Sequence, residues 1–314
     1  MTEAKEAASD RRPQVTAVIV TYNSLGHINA ALNALWMGHE SGILDCVVVD
    51  NASADGTANF VAASHPWVTL IRGERNLGFG RGCNLGFKQV YTPYVLIHNP
   101  DAALEHQALQ TMVDFMTSRP QAGIVAPAII EGEHSLQAAG LMTTPTSILR
   151  RAFGLGNTMP QQQRIIPGAP PFATSWVCGA MMLIRSELYR RLGGFDPRFF
   201  LYFEETDLCR RAVREGAEIW AVGEAVARHL GGACAKSTGK SMESSCISEH
   251  FYRSRFYYLV RHFGWTAAVW TETLVWLAQA LRNLRDIITG KRPLSLLGSD
   301  RPFLRLPDIP DDTP

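Results

Sequence analysis

Residues 94–101, with the sequence YVLIHNPD, decide the fold of this chain. The first five form a mainly apolar run that predicts a short buried strand, and the run stops at Asn99-Pro100-Asp101. Proline cannot continue a central strand, so we expect Asp101 at the strand's carboxyl end. Ligands of open α/β sheets bind at that edge, where a carboxylate can hold a hard cation. Alternatively, these residues only form a turn, because Asn, Pro and Asp all favour turns.

Two earlier apolar runs also end in polar residues. Residues 15–20 lead into the loop that contains Thr21, and residues 45–50 lead into the loop after Asp50. The apolar spacing between these runs predicts a helix, and residues 68–71 predict a third strand. A strand–helix–strand order is typical of a parallel βαβ unit. We therefore predict an α/β fold with a Rossmann-like, mostly parallel sheet flanked by helices.

The composition excludes several classes of protein. With 314 residues, of which 46% are hydrophobic, the chain is long enough for a large globular core. Its formal net charge of +1 argues against nucleic acid as a partner. The six cysteines are scattered without a C-x-x-C pair, and the N-terminus has no apolar signal segment. We therefore predict a cytoplasmic protein in a reducing compartment.

Residues 76–86, NLGFGRGCNLG, combine many glycines with two asparagines. Glycines let a backbone approach a ligand closely, and the amides there can meet phosphates or a base edge. A dinucleotide-binding fingerprint is excluded, because residues 72–75 separate the preceding strand from the first glycine. Close packing of a helix against the sheet is the alternative explanation for the glycines.

An acidic segment follows residues 193–203. Glu204 and Glu205 lie on the face of a predicted helix that carries its apolar residues: Leu208, Cys209 and Ala212. Buried carboxylates are unfavourable unless they have a function or a partner, so at least one is a functional candidate. The alternative is a favourable interaction with the helix dipole. Another face is predicted to form a solvated ion-pair stripe: Asp207, Arg210, Arg211 and Arg214.

His229 follows the predicted strand at residues 218–228 and precedes a glycine-containing loop. A lone histidine usually has a structural role. At the end of a strand, however, it is also well placed to ligate a borderline metal ion such as Mn²⁺.

Seven motifs, in this order, resemble the inverting family-2 glycosyltransferases with the GT-A fold, especially the rhamnosyltransferase-like branch: VIVTYNS, VVVDNASADGT, NLGFGRGCNLG, HNPDA, CGAMMLIR, GGFDPRFFLYFEETDL and RHLGG. The resemblance covers roughly residues 15–264. It implies a GT-A fold with a C-terminal helical extension.

The resemblance also implies roles for individual residues. It assigns Asp101 as a ligand of Mg²⁺ or Mn²⁺, with His229 as a second protein ligand, although only the last acid of the family's D-x-D motif is present. The catalytic aspartate of the family's E-D pair corresponds to Glu205, one methylene longer, so the choice between Glu204 and Glu205 stays open. The residues implied for binding the nucleotide sugar are Thr21, Tyr22, Asn23, Asp50, Asn51, Asn76, Gly78, Gly80, Asn84 and Asn99.

The expected reaction is a metal-dependent transfer that inverts the anomeric carbon. One carboxylate accepts the proton of the acceptor hydroxyl, and the cation stabilises the leaving diphosphate. The resemblance implies a dTDP-rhamnose or UDP-sugar donor and a lipid-linked or cell-surface glycan acceptor. Two alternatives remain, a nucleotidyltransferase and a non-catalytic partner in glycan assembly. The first lacks the basic residue that a triphosphate needs in the loop at residues 21–24.

The expected organisation has four parts. Residues 1–13 form a disordered lead, residues 14–245 the catalytic domain with a flexible flap at 143–172, residues 246–292 a helical segment and residues 293–314 an extended tail. Polar interruptions within residues 265–288 argue against a transmembrane helix. Tryptophans beside Arg282 and Arg285 favour a helix lying on the cytoplasmic face of the inner membrane. Packing on the catalytic domain or in a homodimer is the alternative.

Overall fold

The computed structural model describes residues 12–105, 107–131, 135–136, 138–155, 163–229, 246–290 and 306–307. The helices and strands have these bounds: β1 (Val15–Thr21), α1 (Ile28–Glu40), β2 (Leu44–Asp50), α2 (Thr57–Ser64), β3 (Thr69–Arg72), α3 (Phe79–Phe87), β4 (Tyr94–His98), β5 (Ala102–Leu104), α4 (Ala108–Ser118), β6 (Ala122–Glu131), β7 (Ser135–Leu136), β8 (Ala138–Ala139), α5 (Pro145–Ala152), β9 (Gln163–Arg164), β10 (Phe172–Thr174), β11 (Met181–Arg185), α6 (Ser186–Arg191), α7 (Glu204–Arg214), β12 (Glu218–His229) and α8 (Cys246–Ile288).

One mixed sheet organises the chain. Its strand order is β10-β12-β6-β11-β4-β1-β2-β3, with β5 paired to β12 and β7 paired to β6. Strands β4, β1, β2 and β3 are mutually parallel, whereas β11 runs antiparallel to both β4 and β6. The predicted α/β fold, with a Rossmann-like sheet between helices, is confirmed.

The central strands are mainly apolar, and both of their faces are buried. Successive side chains of a strand point to opposite faces. Ile19 and Leu96 therefore belong to one apolar cluster, and Val18 and Ile97 belong to the other. This burial on both sides explains why the first, second and fourth predicted strands could be recognised as continuous apolar runs.

The glycine-rich segment contains a helix, α3, that packs tightly against the sheet. A β-carbon at Gly82 would lie 2.7 Å from Val20 Cγ1, and one at Gly86 would lie 2.5 Å from Val18 Cγ1. Any side chain at either position would push α3 away from β1. The packing explanation is therefore correct for these two glycines.

The segment predicted as a flexible flap, residues 143–172, contains a capped helix. Thr144 Oγ1 accepts a hydrogen bond from the Ser147 amide (3.2 Å), and the Thr144 amide donates to Ser147 Oγ (2.9 Å). This reciprocal capping and the proline at position 145 favour a helix start. Residues 145–152 of the segment are thus helical, and the flap itself stays a prediction.

The predicted C-terminal helical extension is confirmed as α8, which contains a break. Gly264 has φ 85° and ψ 164°, so the element consists of two helices joined at this residue. In the described part of the chain, no helix has both the length and the apolar character needed to cross a bilayer. The predicted lead and tail lie almost entirely outside the described residues.

Gly86→Ala should destabilise the protein, although alanine favours helices over glycine by about 1 kcal/mol. The added methyl group must displace Val18, so we expect the free energy of unfolding to fall by about 1–3 kcal/mol. Urea unfolding would measure the change. Gly26→Ala is the control, because no atom lies within 4 Å of a β-carbon there. A Gly86→Ala variant as stable as the parent would contradict the packing role.

Candidate active site at the carboxyl edge of the sheet

Asp50 lies at the shared end of β1 and β2. The Thr21 hydroxyl donates to Asp50 Oδ1 (2.9 Å), and the Ser53 amide donates to Asp50 Oδ2 (3.0 Å). The carboxylate is 3% exposed. These bonds fix a negatively charged acceptor at the edge where α/β sheets bind ligands.

The loops that follow β1 and β2 are bonded to each other. The Asn23 amide donates to Ser53 Oγ (2.9 Å), and Asn23 Oδ1 accepts from the Ala54 amide (2.9 Å). Asn23 has φ 52°, a conformation that asparagine tolerates better than most residues. Its side chain therefore shapes this double loop, beside which the Tyr22 side chain is exposed.

Asn51 connects this edge to the glycine-rich segment. Its Nδ2 donates to the Gly78 carbonyl (3.0 Å), while its buried Oδ1 receives no hydrogen bond from the described residues. Asn76 Oδ1 accepts from the Gly78 amide (2.9 Å). Gly78 has φ 82°, and a β-carbon there would collide with the carbonyl oxygen of Phe200. Only glycine fits at this crossing point.

Asn84 differs from the other predicted pocket residues. Its Nδ2 donates to the Phe195 carbonyl (2.7 Å), and its Oδ1 accepts from the Phe195 amide (2.9 Å) and the Tyr189 hydroxyl (2.7 Å). These bonds hold α3 against the segment at Phe195, so Asn84 has a structural role, and its part in binding the nucleotide sugar stays a prediction. Gly80 is equally close-packed, since a β-carbon there would lie 3.0 Å from Phe195 Cβ and 3.6 Å from Glu204 Cβ.

Asp101 lies in the turn between β4 and β5, as expected from the position of Pro100. It is 8% exposed. Strand β5 pairs with β12 so that Ala102 is opposite His229. The backbone of His229 therefore lies opposite Ala102, the residue after Asp101. The side chain of His229 is outside the described part of the chain. Among the described side chains, no group of three or more His, Cys, Asp or Glu residues is placed to hold a metal ion.

Glu204 and Glu205 begin α7 directly after two residues with left-handed backbone. Tyr202 has φ 68° and Phe203 has φ 66°. Such non-glycine conformations are strained by about 1–3 kcal/mol each and cluster at functional sites. Glu204 is buried, and its Oε2 receives no hydrogen bond from the side chains and backbone described. Glu205 is partly exposed, and its Oε1 accepts from the Thr206 hydroxyl (3.1 Å).

A short segment joins Glu205 to the end of β4. The Asn99 amide donates to the Ala180 carbonyl (2.9 Å), and a β-carbon at the adjoining Gly179 would lie 3.2 Å from Glu205 Cβ. Trp176 Nε1 donates to the Thr206 hydroxyl (3.0 Å). The residues that precede β11 thus connect Glu205 with the turn that contains Asp101.

Both glutamates have raised pKa values. Burial, followed by the charge of Glu205, raises the pKa of Glu204 well above its usual range. Burial also raises the pKa of Glu205, and hydrogen bonds from its own backbone, Thr206 and Trp176 oppose this effect. A carboxylate with a raised pKa is a stronger base than an ordinary one, which suits a residue that accepts a proton.

Asp207 is not part of a solvated stripe, so that prediction is wrong. The residue is fully buried and accepts hydrogen bonds from Arg211 Nε (2.7 Å), Arg261 Nε (3.0 Å) and His262 Nε2 (2.8 Å). The first part of α8 covers this face of α7. The periodicity of α7 alone could not reveal a covering helix about fifty residues later in the chain.

Comparison with known proteins identifies the family. The sequence profile of Glycosyl transferase family 2 matches residues 16–193, more than half of the chain. The N-acetylglucosaminyl-diphospho-decaprenol L-rhamnosyltransferase of Mycobacterium tuberculosis is 27% identical over 290 residues, which cover 86% of this chain and 90% of that protein. Rhamnosyltransferase WbbL of Escherichia coli is 27% identical over 194 residues, or 59% of this chain and 70% of that protein.

Solved structures agree on the fold. The mannosyltransferase PcManGT from Pyrobaculum calidifontis, in complex with GDP-Man and Mn²⁺, matches with a TM-score of 0.55 at 18% identity. The match covers 95% of this chain and 84% of the mannosyltransferase chain. TarS from S. aureus in complex with UDP has a TM-score of 0.51 at 16% identity, with 87% and 72% covered. The nucleotidyltransferase and non-catalytic alternatives are not supported. The chain belongs to glycosyl transferase family 2 and is a glycosyltransferase with the GT-A fold.

Proposed function

We propose that this enzyme transfers a sugar from a nucleoside-diphosphate donor to a glycan acceptor with inversion at the anomeric carbon, and that the reaction needs Mg²⁺ or Mn²⁺. The observation that carries this proposal is the position of Glu205, which abuts Gly179 beside the segment bonded to the end of β4. A proton-accepting carboxylate and the acidic turn at Asp101 therefore belong to one connected part of the fold.

The donor pocket is assigned to the loops after β1, β2 and β3. Asp50 offers a fixed carboxylate, and the buried Asn51 Oδ1 offers an unused acceptor, so both suit the N–H groups of a base edge. The exposed ring of Tyr22 offers a surface on which a base can stack. Thr21 and Asn23 hold these groups in place, and Asn76, Gly78 and Gly80 shape the facing wall. Asn99 lies at its β4 end.

We infer dTDP-L-rhamnose as the donor, because two of the named relatives are rhamnosyltransferases. A UDP-sugar is the second candidate. The M. tuberculosis relative carries the name of a lipid-diphosphate acceptor, which favours a lipid-linked acceptor in polysaccharide or cell-wall synthesis here.

The residues present suit a cation that the enzyme shares with its donor. Mg²⁺ is commonly held by one or two carboxylates together with substrate phosphates, so a large cluster of protein ligands is not needed. Asp101 is the buried carboxylate in the turn after β4, and His229 is the second candidate ligand. When bound, the cation neutralises the charge that develops on the leaving diphosphate.

Glu205 is the better candidate for the base. Its carboxylate accepts a hydrogen bond from Thr206 and is partly exposed, and both features favour the ionised form. Glu204 is buried with one oxygen that lacks a described donor, so its neutral form is favoured. Glu205 thus takes the proton of the acceptor hydroxyl, whereas burial favours the neutral form of Glu204.

The second part of α8 supports contact with a membrane. Five apolar residues that are each at least 40% exposed share one face of this helix and form an apolar stripe: Trp270, Leu277, Leu281, Leu284 and Ile288. Arg282 and Arg285 lie beside this apolar stripe and complement anionic headgroups. A peripheral position on the membrane would bring the active site to a lipid-linked acceptor. A homodimer through the same stripe is the competing possibility.

Glu205→Gln should lower kcat for sugar transfer by about 100-fold or more, because general-base catalysis contributes about 10²–10⁴. Donor affinity should change little. The rate would be measured with dTDP-L-rhamnose and a lipid-diphosphate acceptor. Glu204→Gln is the control and should keep most activity, since the amide resembles a protonated carboxyl. The opposite pattern would make Glu204 the base.

The pH profile should report the raised pKa of Glu205. A base must be ionised to accept a proton, so kcat should fall as pH drops through that pKa. The fall should occur at a pH above the ordinary glutamate value of 4.5. A profile that stays flat down to pH 4.5 would exclude a base with a raised pKa.

Asp101→Ala should abolish the metal-dependent part of nucleotide binding. A nucleoside diphosphate at about a hundred times its Kd stabilises a protein by about 2.7 kcal/mol. Thermal shifts with dTDP, UDP or GDP, each with and without Mn²⁺, would measure this. The exposed Asp114 provides the control variant Asp114→Ala. Equal shifts with and without Mn²⁺ in the parent protein would contradict metal-dependent binding.

The Leu281→Ser/Leu284→Ser double variant should reduce co-sedimentation with anionic phosphatidylglycerol vesicles. Leu155→Ser is the control, because Leu155 is as exposed as these residues but lies outside the apolar stripe. A different result would assign the stripe to a homodimer. In that case the parent protein does not bind vesicles and is a dimer in light scattering, whereas the double variant is a monomer.

A further inference from the structure

We infer that Asp207 is a positioning residue that anchors the catalytic helix α7 to the first part of α8, with His262 and Arg261 as its partners. The inference rests on the proposed role of Glu205, which lies two residues before Asp207. The first part of α8, residues 249–263, is then a component of the active-site framework.

His262 forms one arm of this anchor as a neutral ring. Arg214 can only donate, so its NH1 donates to His262 Nδ1 (3.1 Å), and this nitrogen carries no proton. The proton therefore sits on Nε2, which donates to Asp207 Oδ1 (2.8 Å). Burial keeps the pKa of His262 below its ordinary value despite the bond to Asp207. The network thus fixes both the tautomer and the orientation of the ring.

Arg261 forms the second arm and connects two carboxylates. Its Nε donates to Asp207 Oδ1 (3.0 Å), and its NH1 lies 2.7 Å from Asp196 Oδ2. The hydroxyl of Tyr257 also donates to Asp196 Oδ2 (2.8 Å) and accepts from Arg198 NH1 (2.8 Å). One stretch of α8 therefore holds both α7 and the segment that leads into it.

The same part of α8 also supports the strained residues before Glu204. The Ser254 hydroxyl donates to the Leu201 carbonyl (2.9 Å), and the ring of Phe203 lies 5.4 Å from those of Phe251 and Tyr258. Strained backbone persists only where its surroundings determine it. Here α8 provides much of that support.

The charge of Asp207 makes the anchor strong. Burial alone would raise its pKa, but the bond from His262 and the charges of Arg211 and Arg261 bring the pKa below its ordinary value. The residue is therefore ionised and paired on several sides. Since Asp207 is less than one helical turn from Glu205, a shift of this anchor moves the base.

The first test compares Asp207→Asn with the parent protein. A misplacement of about 1 Å can reduce catalysis about 100-fold, so we expect kcat to fall by about that factor. KM for the donor should stay within about threefold, because Thr21, Asn23 and Asp50 are held by hydrogen bonds within the loops after β1 and β2. Hydrogen–deuterium exchange of residues 199–209 should become faster.

Glu272→Gln is the matched control. Glu272 pairs with Arg255 (2.6 Å), the two side chains are 10% and 11% exposed, and both lie on α8. This pair is therefore nearly as buried as the anchor, but the two hydrogen bonds between Arg255 and Glu272 join two residues of α8. We expect Glu272→Gln to leave kcat and the exchange of residues 199–209 close to those of the parent.

A second comparison separates positioning from general stability. His262→Gln keeps an N–H donor near the position of Nε2, whereas His262→Leu removes it. We expect the glutamine variant to retain most activity and the leucine variant to lose it as Asp207→Asn does. If Asp207→Asn fails to fold, the two His262 variants still test whether the hydrogen bond to Asp207 positions α7.

Two outcomes would overturn the inference. One is unchanged exchange of residues 199–209 in both Asp207→Asn and His262→Leu. The other is a loss of activity in Glu272→Gln equal to that in Asp207→Asn. A parent protein without any transfer activity would instead contradict the proposed function, and the exchange measurements would still decide whether Asp207 anchors α7.

Discussion

The candidate active site depends on the parallel pairing of β1 with its two neighbours. Thr21 and Asp50 are register partners at the last positions of β1 and β2, and their side chains are hydrogen-bonded. On the other side, Ile19 pairs with His98, the last residue of β4. Three loops therefore leave the sheet close together. A slip of one residue would turn the side chains of a strand to the opposite face and separate these loops.

Segments from distant parts of the chain meet the sheet edge through their backbones. The Phe79 amide donates to the Phe200 carbonyl (3.0 Å), and the Asn99 amide donates to the Ala180 carbonyl (2.9 Å). Glycine occupies the crossing points at positions 78 and 179, where a β-carbon would meet Phe200 or Glu205. The loops after β1 and β2 are thus positioned by the parallel strands. The start of α7, which carries Glu205, is instead held by loops and by hydrogen bonds from α8. The two halves of the site have different supports.

Local patterns in the sequence were sufficient for the central strands and for the motifs after them. Strands β1, β2 and β4 are buried on both faces, so their apolar runs are continuous, and the polar residues that end them lie at one edge. The roles of Asn84 and Asp207 could not be predicted in this way, because their partners lie on other elements. Tyr189 and Phe195 contact Asn84 across about a hundred residues, and His262 contacts Asp207 across 55. Periodicity describes one element at a time and is silent about such partners.

The break at Gly264 divides α8 into parts with different duties. Before Gly264, Tyr257 and His262 are hydrogen-bonded to Asp196 and Asp207. After Gly264, the helix exposes its apolar stripe. A backbone with φ 85° and ψ 164° is accessible to glycine but strained for other residues. Two helices joined at such a point do not share a continuous ladder of hydrogen bonds, so bending of the outer helix is not passed rigidly to the inner one. Gly264 therefore acts as a flexible joint, which separates movements of the outer helix from the inner helix that is bonded to α7.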